Sequence, residues 1–295
     1  PVEFWAWLTP QMKQAYPGLI FIGEAYDKNQ YSNYVHNGGF DYLYDKVGLY
    51  DAIRRLTCND YGANTWEINA VWNHHTRGID EHMLRFMENH DEQRIASRFF
   101  AGDAMLAIPG MIISATLNKG PVMIYAGQEV GEPALGAQGF SGDDGRTTIF
   151  DYCNLPELQK WVNNGTYDGA RLSADQQQLR EFYIKLLNVT AQSDALSNGD
   201  FYELMIANEC QPGFDTKLYI YARYTAHEKV VVAVNFNNEE RHVTIQLPAD
   251  LLQKWEMNGA VTFTDMLTDS GFYTHDINAG ISVTLNAMHG LLLKS

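Results

Sequence analysis

The sequence predicts an α/β fold followed by an all-β region, and two patterns along the chain support this prediction. Up to about residue 192, short apolar segments alternate with longer stretches of helical periodicity, which is typical of βα units and a parallel sheet. From about residue 195 the segments are short, rich in β-branched and aromatic residues, and separated by polar turns. We therefore expect two domains, residues 1–192 and residues 193–295.

The first region contains four predicted strands. Each is a short apolar run, as expected of a parallel strand buried on both faces, and they lie near 19–24, 40–44, 84–89 and 121–126. Apolar residues at helical spacing predict five helices, near 2–16, 46–57, 64–76, 92–119 with a break at Pro109, and 173–192. Residues 130–170 are rich in Gly, Asp and Asn and are predicted to form a long loop.

The second region contains at least five predicted strands, near 201–205, 218–223, 230–234, 242–247 and 281–285. Several alternate polar and apolar residues, as antiparallel strands do when one face meets the core and the other meets solvent. These strands predict an antiparallel β-sandwich.

Composition excludes several function classes. The 295 residues carry 21 Lys and Arg against 36 Asp and Glu, a formal charge of −15, which would repel a phosphate backbone, so we expect no nucleic-acid partner. No apolar run reaches the roughly 20 residues of a membrane span, so none is predicted. Three separated cysteines, Cys58, Cys153 and Cys210, exclude a disulfide framework and a thiolate zinc site. The sequence does not indicate a cellular compartment.

Two of the predicted strands end in carboxylates, and these are the candidate catalytic residues. Residues 21–26 (Phe-Ile-Gly-Glu-Ala-Tyr) place Glu24 at a strand end, and residues 86–91 (Phe-Met-Glu-Asn-His-Asp) place His90 and Asp91 at another. Paired carboxylates around a pocket are the working groups of glycoside hydrolysis. The structural alternatives are that Glu24 caps the following helix and that Asp91 is the N-cap of a helix beginning at Glu92.

These motifs resemble the α-amylase family of retaining glycoside hydrolases (glycoside hydrolase family 13). Gly23-Glu24 is similar to the family's acid/base motif and Asn89-His90-Asp91 to a later substrate-binding motif, while residues 120–129 and 145–151 resemble its last barrel strand and the loop after it. The resemblance implies that the four strands are the fifth to eighth of a (β/α)8 TIM barrel, followed by an all-β C-terminal sandwich domain.

The resemblance also implies roles for single residues. Glu24 would be the general acid/base, Asp91 would stabilise the transition state, and His90 would donate a hydrogen bond to a sugar hydroxyl. Tyr26 is a candidate for substrate binding, with packing as the alternative. Arg94 is a further substrate-binding candidate, which could instead hold a carboxylate or be solvated.

The family's nucleophile, an Asp in a Gly-x-Arg-x-Asp segment, has no match in the sequence, and the first residue is Pro1 rather than Met. We therefore expect the C-terminal portion of a longer enzyme, inactive alone and completed by an N-terminal half of the barrel or by a second copy of the chain. We expect no cofactor in this segment. A Ca²⁺ ion is common in the family, with ligands largely from the other half.

The predicted function is retaining hydrolysis of α-glucans or α-glucosides, such as starch and maltooligosaccharides, by double displacement; transglycosylation would use the same residues. The alternative is a catalytically silent family member that binds carbohydrate or a partner protein. Retention of both Glu24 and Asp91 disfavours that alternative. His74, His75 and His82 lack the spacing of a histidine metal motif, so no metal site is predicted from them.

Overall fold

The computed structural model describes residues 1–136, 142–147 and 154–295. Its first part is an open sheet of four parallel strands that lie side by side in chain order. They are β1 (Ile22–Gly23), β2 (Tyr42–Tyr44), β3 (Met83–Phe86) and β4 (Val122–Met123). The predicted α/β class and all four strand positions are confirmed, each strand being shorter than the apolar run that predicted it.

Helices precede, connect and follow these strands. In chain order they are α1 (Val2–Ala15), α2 (Tyr31–His36), α3 (Asp51–Thr57), α4 (Trp66–Ala70), α5 (Ile108–Thr116), α6 (Pro156–Val162) and α7 (Ala174–Gln192). The longest, α7, begins at a capping box in which Ser173 and Gln176 each bond the other's backbone N–H. Parallel strands alternating with helices are the arrangement of half a (β/α)8 barrel.

The predicted helix over 92–119 is wrong in its first half, where residues 92–103 form turns and only α5 is α-helical. Backbone N–H groups in this stretch bond outside it: the Ile95 N–H donates to the Glu88 carboxylate, and the Arg94 N–H donates to the Gly145 carbonyl. Such bonds compete with helix formation. Asp91 is therefore not the N-cap of a helix. The predicted loop over 130–170 contains α6 in its described part.

The remaining residues form two antiparallel sheets. After α8 (Asp194–Asn198), the strands are β5 (Asp200–Glu203), β6 (Leu218–Tyr224), β7 (Lys229–Asn235), β8 (Arg241–Ile245), β9 (Val261–Asp265), β10 (Gly271–Thr274), β11 (Ile281–Leu285) and β12 (His289–Lys294), with α9 (Met205–Asn208) and α10 (Ala249–Lys254) between them. The large sheet has the order β10-β9-β12-β7-β6-β5, and β8 pairs with β11. The five predicted strands correspond to β5, β6, β7, β8 and β11, whereas β9, β10 and β12 were not predicted.

Both faces of the large sheet are buried, and successive side chains of its strands pack into two different cores. On β6, Tyr219 and Tyr221 pack into the core shared with α5 and α7, whereas Leu218, Ile220 and Ala222 pack against the small sheet. The two parts of the chain are thus in extensive contact, and the domain boundary at 192/193 stays a prediction.

Apolar side chains remain exposed on α1 and around β1. The exposed fractions are 61% for Trp7, 47% for Phe4, 59% for Ile20 and 53% for Ile22. Since β1 lies at an edge of the parallel sheet, this surface adjoins an unpaired strand. Across the described ranges, no helix is both long and apolar enough to cross a membrane.

Candidate active site

The ends of β1 and β3 bring the candidate catalytic residues together. Glu24 directly follows β1, and His90 and Asp91 follow β3 by a few residues; because the strands are parallel, these segments leave the sheet at the same edge. Side-chain ligand atoms of Glu24, His90 and Asp91 all lie within 4.8 Å of one another. His90 Nε2 is 3.6 Å from Asp91 Oδ2. The three residues therefore face one shared space.

The backbone around Asp91 is held by two neighbouring groups. The Asn89 side-chain oxygen accepts hydrogen bonds from the N–H groups of Asp91 (2.9 Å) and Glu92 (2.8 Å), and Asn89 is only 2% exposed. Arg146 Nε donates to the Asp91 carbonyl at 2.5 Å. These contacts hold the backbone of Asp91 in place. Residues 148–151, the end of the segment that resembles the family's loop, lie outside the described residues.

A buried ion pair lies beneath this loop. Arg94 Nη1 donates to Glu88 Oε2 at 2.8 Å, and both side chains are 1% exposed. The guanidinium also donates to Thr147 Oγ1 (2.9 Å) and the Ala126 carbonyl (3.0 Å), and it stacks 4.2 Å from the ring centre of Tyr125. Burial raises the pKa of Glu88, and the Arg94 charge opposes that increase.

The expectation that Arg94 binds substrate is therefore corrected. Its guanidinium is enclosed and its nitrogens bond to protein groups, so no sugar can reach it in this conformation. Of the two alternatives from the sequence, holding a carboxylate is the one observed. Because Glu88 immediately precedes Asn89, the pair supports the loop that carries Asp91.

Tyr26 contacts the other candidate carboxylate. Its hydroxyl donates to Glu24 Oε1 at 2.8 Å, while its side chain is 56% exposed. Partial burial and the bond to Glu24 raise the pKa of Tyr26, with further contributions from Asp91 and Glu92, so its hydroxyl stays protonated. Burial, Glu24 and Asp91 likewise raise the pKa of Tyr44 at the end of β2. Both phenols thus lie near the carboxylates of Glu24 and Asp91.

Lys46 is a functional candidate that the sequence analysis missed. It lies two residues after β2, and its ammonium group pairs with Asp51 (2.8 Å) and Glu92 (3.2 Å). Its side chain is 15% exposed, and its ammonium lies 4.8 Å from the ring centre of Tyr50. Lys46 thus connects the end of β2 to the loop after β3. The position of a lysine two residues after a predicted strand was the sequence signal that could have identified it.

The described residues offer one candidate metal-binding group of His, Cys, Asp and Glu side chains, namely Glu24, His90 and Asp91. These side chains are the candidate catalytic groups, and a cation held by them would occupy the space that the resemblance assigns to the substrate. The group does not fit the calcium site that the resemblance implies, whose ligands were expected from the other half. No step of the chemistry is assigned to a metal.

A half barrel of parallel strands with carboxylates at its strand ends points to a family of barrel-type proteins, which the comparisons identify. The model of the α-amylase catalytic domain matches residues 1–199, so the chain belongs to the α-amylase family. No curated protein sequence matches the chain.

Solved structures, two of them of α-amylases, share the fold over the whole chain. The acarbose complex of the Geobacillus thermoleovorans α-amylase is 19% identical with a TM-score of 0.66, and the match covers 100% of this chain and 57% of that one. An Anoxybacillus α-amylase is 16% identical with a TM-score of 0.70 and is covered to 56%. AmyP in complex with maltose is 16% identical with a TM-score of 0.71 and is covered to 61%. The chain thus spans a little over half the length of these proteins.

Proposed function

We propose that this chain supplies the acid/base and the transition-state-stabilising carboxylates of a retaining glycosidase acting on α-glucans such as maltooligosaccharides. The observation that carries the proposal is the convergence of Glu24, His90 and Asp91 within 4.8 Å at the ends of two parallel strands. Membership of the α-amylase family supports it, as do the maltose and maltotriose bound in structurally similar proteins.

The proposed mechanism uses Glu24 as the proton donor. As the bond from the anomeric carbon to the glycosidic oxygen breaks, Glu24 protonates that oxygen, and in the second half it accepts a proton from the attacking water. Asp91 faces the same space and would hold sugar hydroxyls while offsetting the positive charge that develops on the ring. His90 would donate a hydrogen bond to a hydroxyl. Glu24 and Asp91 can divide these roles because they come from different strands.

A retaining reaction also needs a nucleophilic carboxylate about 5–5.5 Å from the acid/base. We propose that it comes from outside these 295 residues, on a structure that completes the barrel. The exposed apolar side chains on α1 and β1 support this proposal, as does the share of the amylase structures that the chain spans. The N-terminal half of the barrel is the proposed source, and a second copy of the chain is the alternative.

Amide substitutions at the two carboxylates test the function. In the complete protein, Glu24→Gln and Asp91→Asn should each lower kcat on a maltooligosaccharide by about 10²–10⁴-fold, because each removes a group that acts in the transition state. Melting temperatures should stay near wild type. Matched controls are Glu209→Gln and Asp60→Asn, which change exposed carboxylates elsewhere on the chain.

The wild-type measurement separates the proposed enzyme from a catalytically silent relative. Near-normal turnover in Glu24→Gln or Asp91→Asn would remove that residue from the site. If the complete wild-type protein binds maltooligosaccharides without cleaving them, the binding function replaces the enzymatic one. Mass spectrometry of the products, with and without an added acceptor sugar, distinguishes hydrolysis from transglycosylation.

A further inference from the structure

The contact between Tyr26 and Glu24 gives the site a feature beyond its two carboxylates. Tyr26 lies two residues after Glu24, and its hydroxyl is 2.8 Å from Glu24 Oε1. Because an ionised carboxylate only accepts hydrogen bonds, the phenol is the donor. The Tyr26 side chain is 56% exposed. Its hydroxyl is therefore directed at Glu24 without being needed to satisfy a buried core.

The surroundings of Glu24 make this donor important. Within the described part of the chain, the Tyr26 hydroxyl is the one hydrogen-bond donor to the Glu24 carboxylate. The other ionisable groups that face the same space are Asp91, His90 and Glu92 from the loop after β3, and Tyr44 from β2. Two nearby cations are already engaged, since Lys46 pairs with Glu92 and Asp51, and Arg146 donates to the Asp91 carbonyl. Asp91 would repel the negative charge on Glu24, and the hydrogen bond from Tyr26 offsets that repulsion.

We propose that Tyr26 is a positioning residue that orients the Glu24 carboxyl group and stabilises its ionised form during proton transfer. This inference rests on the proposed function, in which Glu24 is the acid/base. A donor bonded to one carboxylate oxygen fixes the plane of the group and leaves the other oxygen free to carry the transferred proton. Tyr26 itself gains and loses no proton.

The proton balance of the step is simple. Glu24 transfers its proton to the glycosidic oxygen, which keeps the electron pair of the breaking bond and leaves as a hydroxyl group. The carboxylate that forms then accepts the Tyr26 hydrogen bond in its stronger, charge-assisted form. In the second half, Glu24 takes a proton from water and the bond weakens again. The contact is thus strongest when Glu24 is charged, which favours release of the proton.

The test is Tyr26→Phe in the complete protein, which removes the hydroxyl and keeps the ring. The variant should lower kcat on a maltooligosaccharide about tenfold with little change in KM, since the lost bond acts on the proton-transfer step. The alkaline limb of its kcat/KM profile should move about half a pH unit upward, because the ionised form of the acid/base is less stabilised. An aryl α-maltoside with a good leaving group needs less protonation and should lose less activity.

Tyr273→Phe is the matched control, because Tyr273 is 59% exposed and lies on β10 in the antiparallel region. It should leave both the rate and the pH profile unchanged. An unshifted alkaline limb in Tyr26→Phe, or an equal loss on the two substrates, overturns the inference while Glu24→Gln still tests the proposed function. If the wild type is active and Glu24→Gln is too, the proposed function fails instead.

Discussion

Replacing Arg94 by methionine would test whether the buried ion pair supports the candidate site. The substitution keeps a long side chain but leaves the Glu88 carboxylate buried at 1% exposure without its 2.8 Å partner. It also removes the hydrogen bonds to Thr147 and to the Ala126 carbonyl. Breaking one side of a buried pair costs about 3–5 kcal/mol, so we expect Arg94→Met to lower the free energy of unfolding by that amount.

The measurement is denaturant unfolding of the complete protein and the variant, followed by a signal specific to the barrel. Arg98→Met is the control, since Arg98 pairs with Asp143 at 3.0 Å but is 74% exposed, and its loss should cost below about 1 kcal/mol. The double variant Glu88→Gln/Arg94→Met removes the unpaired charge and should recover part of the loss. Equal effects of Arg94→Met and Arg98→Met would refute the reasoning.

The remaining predictions concern the loop after β3 and a cap in the antiparallel region. Asn89→Ala removes the acceptor of the Asp91 and Glu92 N–H groups and should lower kcat about 10- to 100-fold in steady-state assays, and Asn89→Asp, which keeps the acceptor, should lose less. A weaker binding of substrate by Asn89→Ala, with kcat unchanged, would argue against a role of Asn89 in positioning Asp91. Burial would raise the pKa of Glu228, but hydrogen bonds from Ala195 and other groups outweigh it and lower that pKa. Its stabilising effect is therefore present above the unfolded value of about 4.5 and lost as the pH falls through the folded pKa, so melting scans of Glu228→Gln and wild type should converge at acidic pH; a constant difference would contradict this.

The sequence predicted the parallel strands because each is a short apolar run, and it predicted the convergence of Glu24 with Asp91 because parallel strands end at one edge. It could not predict the turns over 92–103. Glu88 and Asn89 look like ordinary polar residues at a strand end, and only the folded chain shows that they capture the backbone N–H groups of the next residues. Local side-chain bonds of this kind override helical periodicity.

The role of Arg94 was mistaken for a related reason. A lone arginine after a catalytic motif is compatible with a substrate ligand, a partner of a carboxylate or a solvated charge, and one of its observed partners, Thr147, lies 53 residues away in the chain. Lys46 was missed because its partners Asp51 and Glu92 come from different segments. In each case at least one partner lies far away in the chain, and periodicity or spacing in one sequence carries no information about that contact.

The central claim is that Glu24 is the acid/base of a retaining α-glycosidase, and azide rescue tests it most directly. In the complete protein, Glu24→Ala should still form the covalent intermediate from an activated aryl α-maltoside, because a good leaving group needs no proton. Overall cleavage should be slow, because the attack of water lacks its general base. Azide is small enough to enter the space left by the carboxylate and nucleophilic without base assistance. It should attack the anomeric carbon of the covalent intermediate and release the nucleophile. We therefore predict faster turnover with azide and an α-glycosyl azide product, identified by NMR; no acceleration, or a β-configured azide, would contradict the assignment.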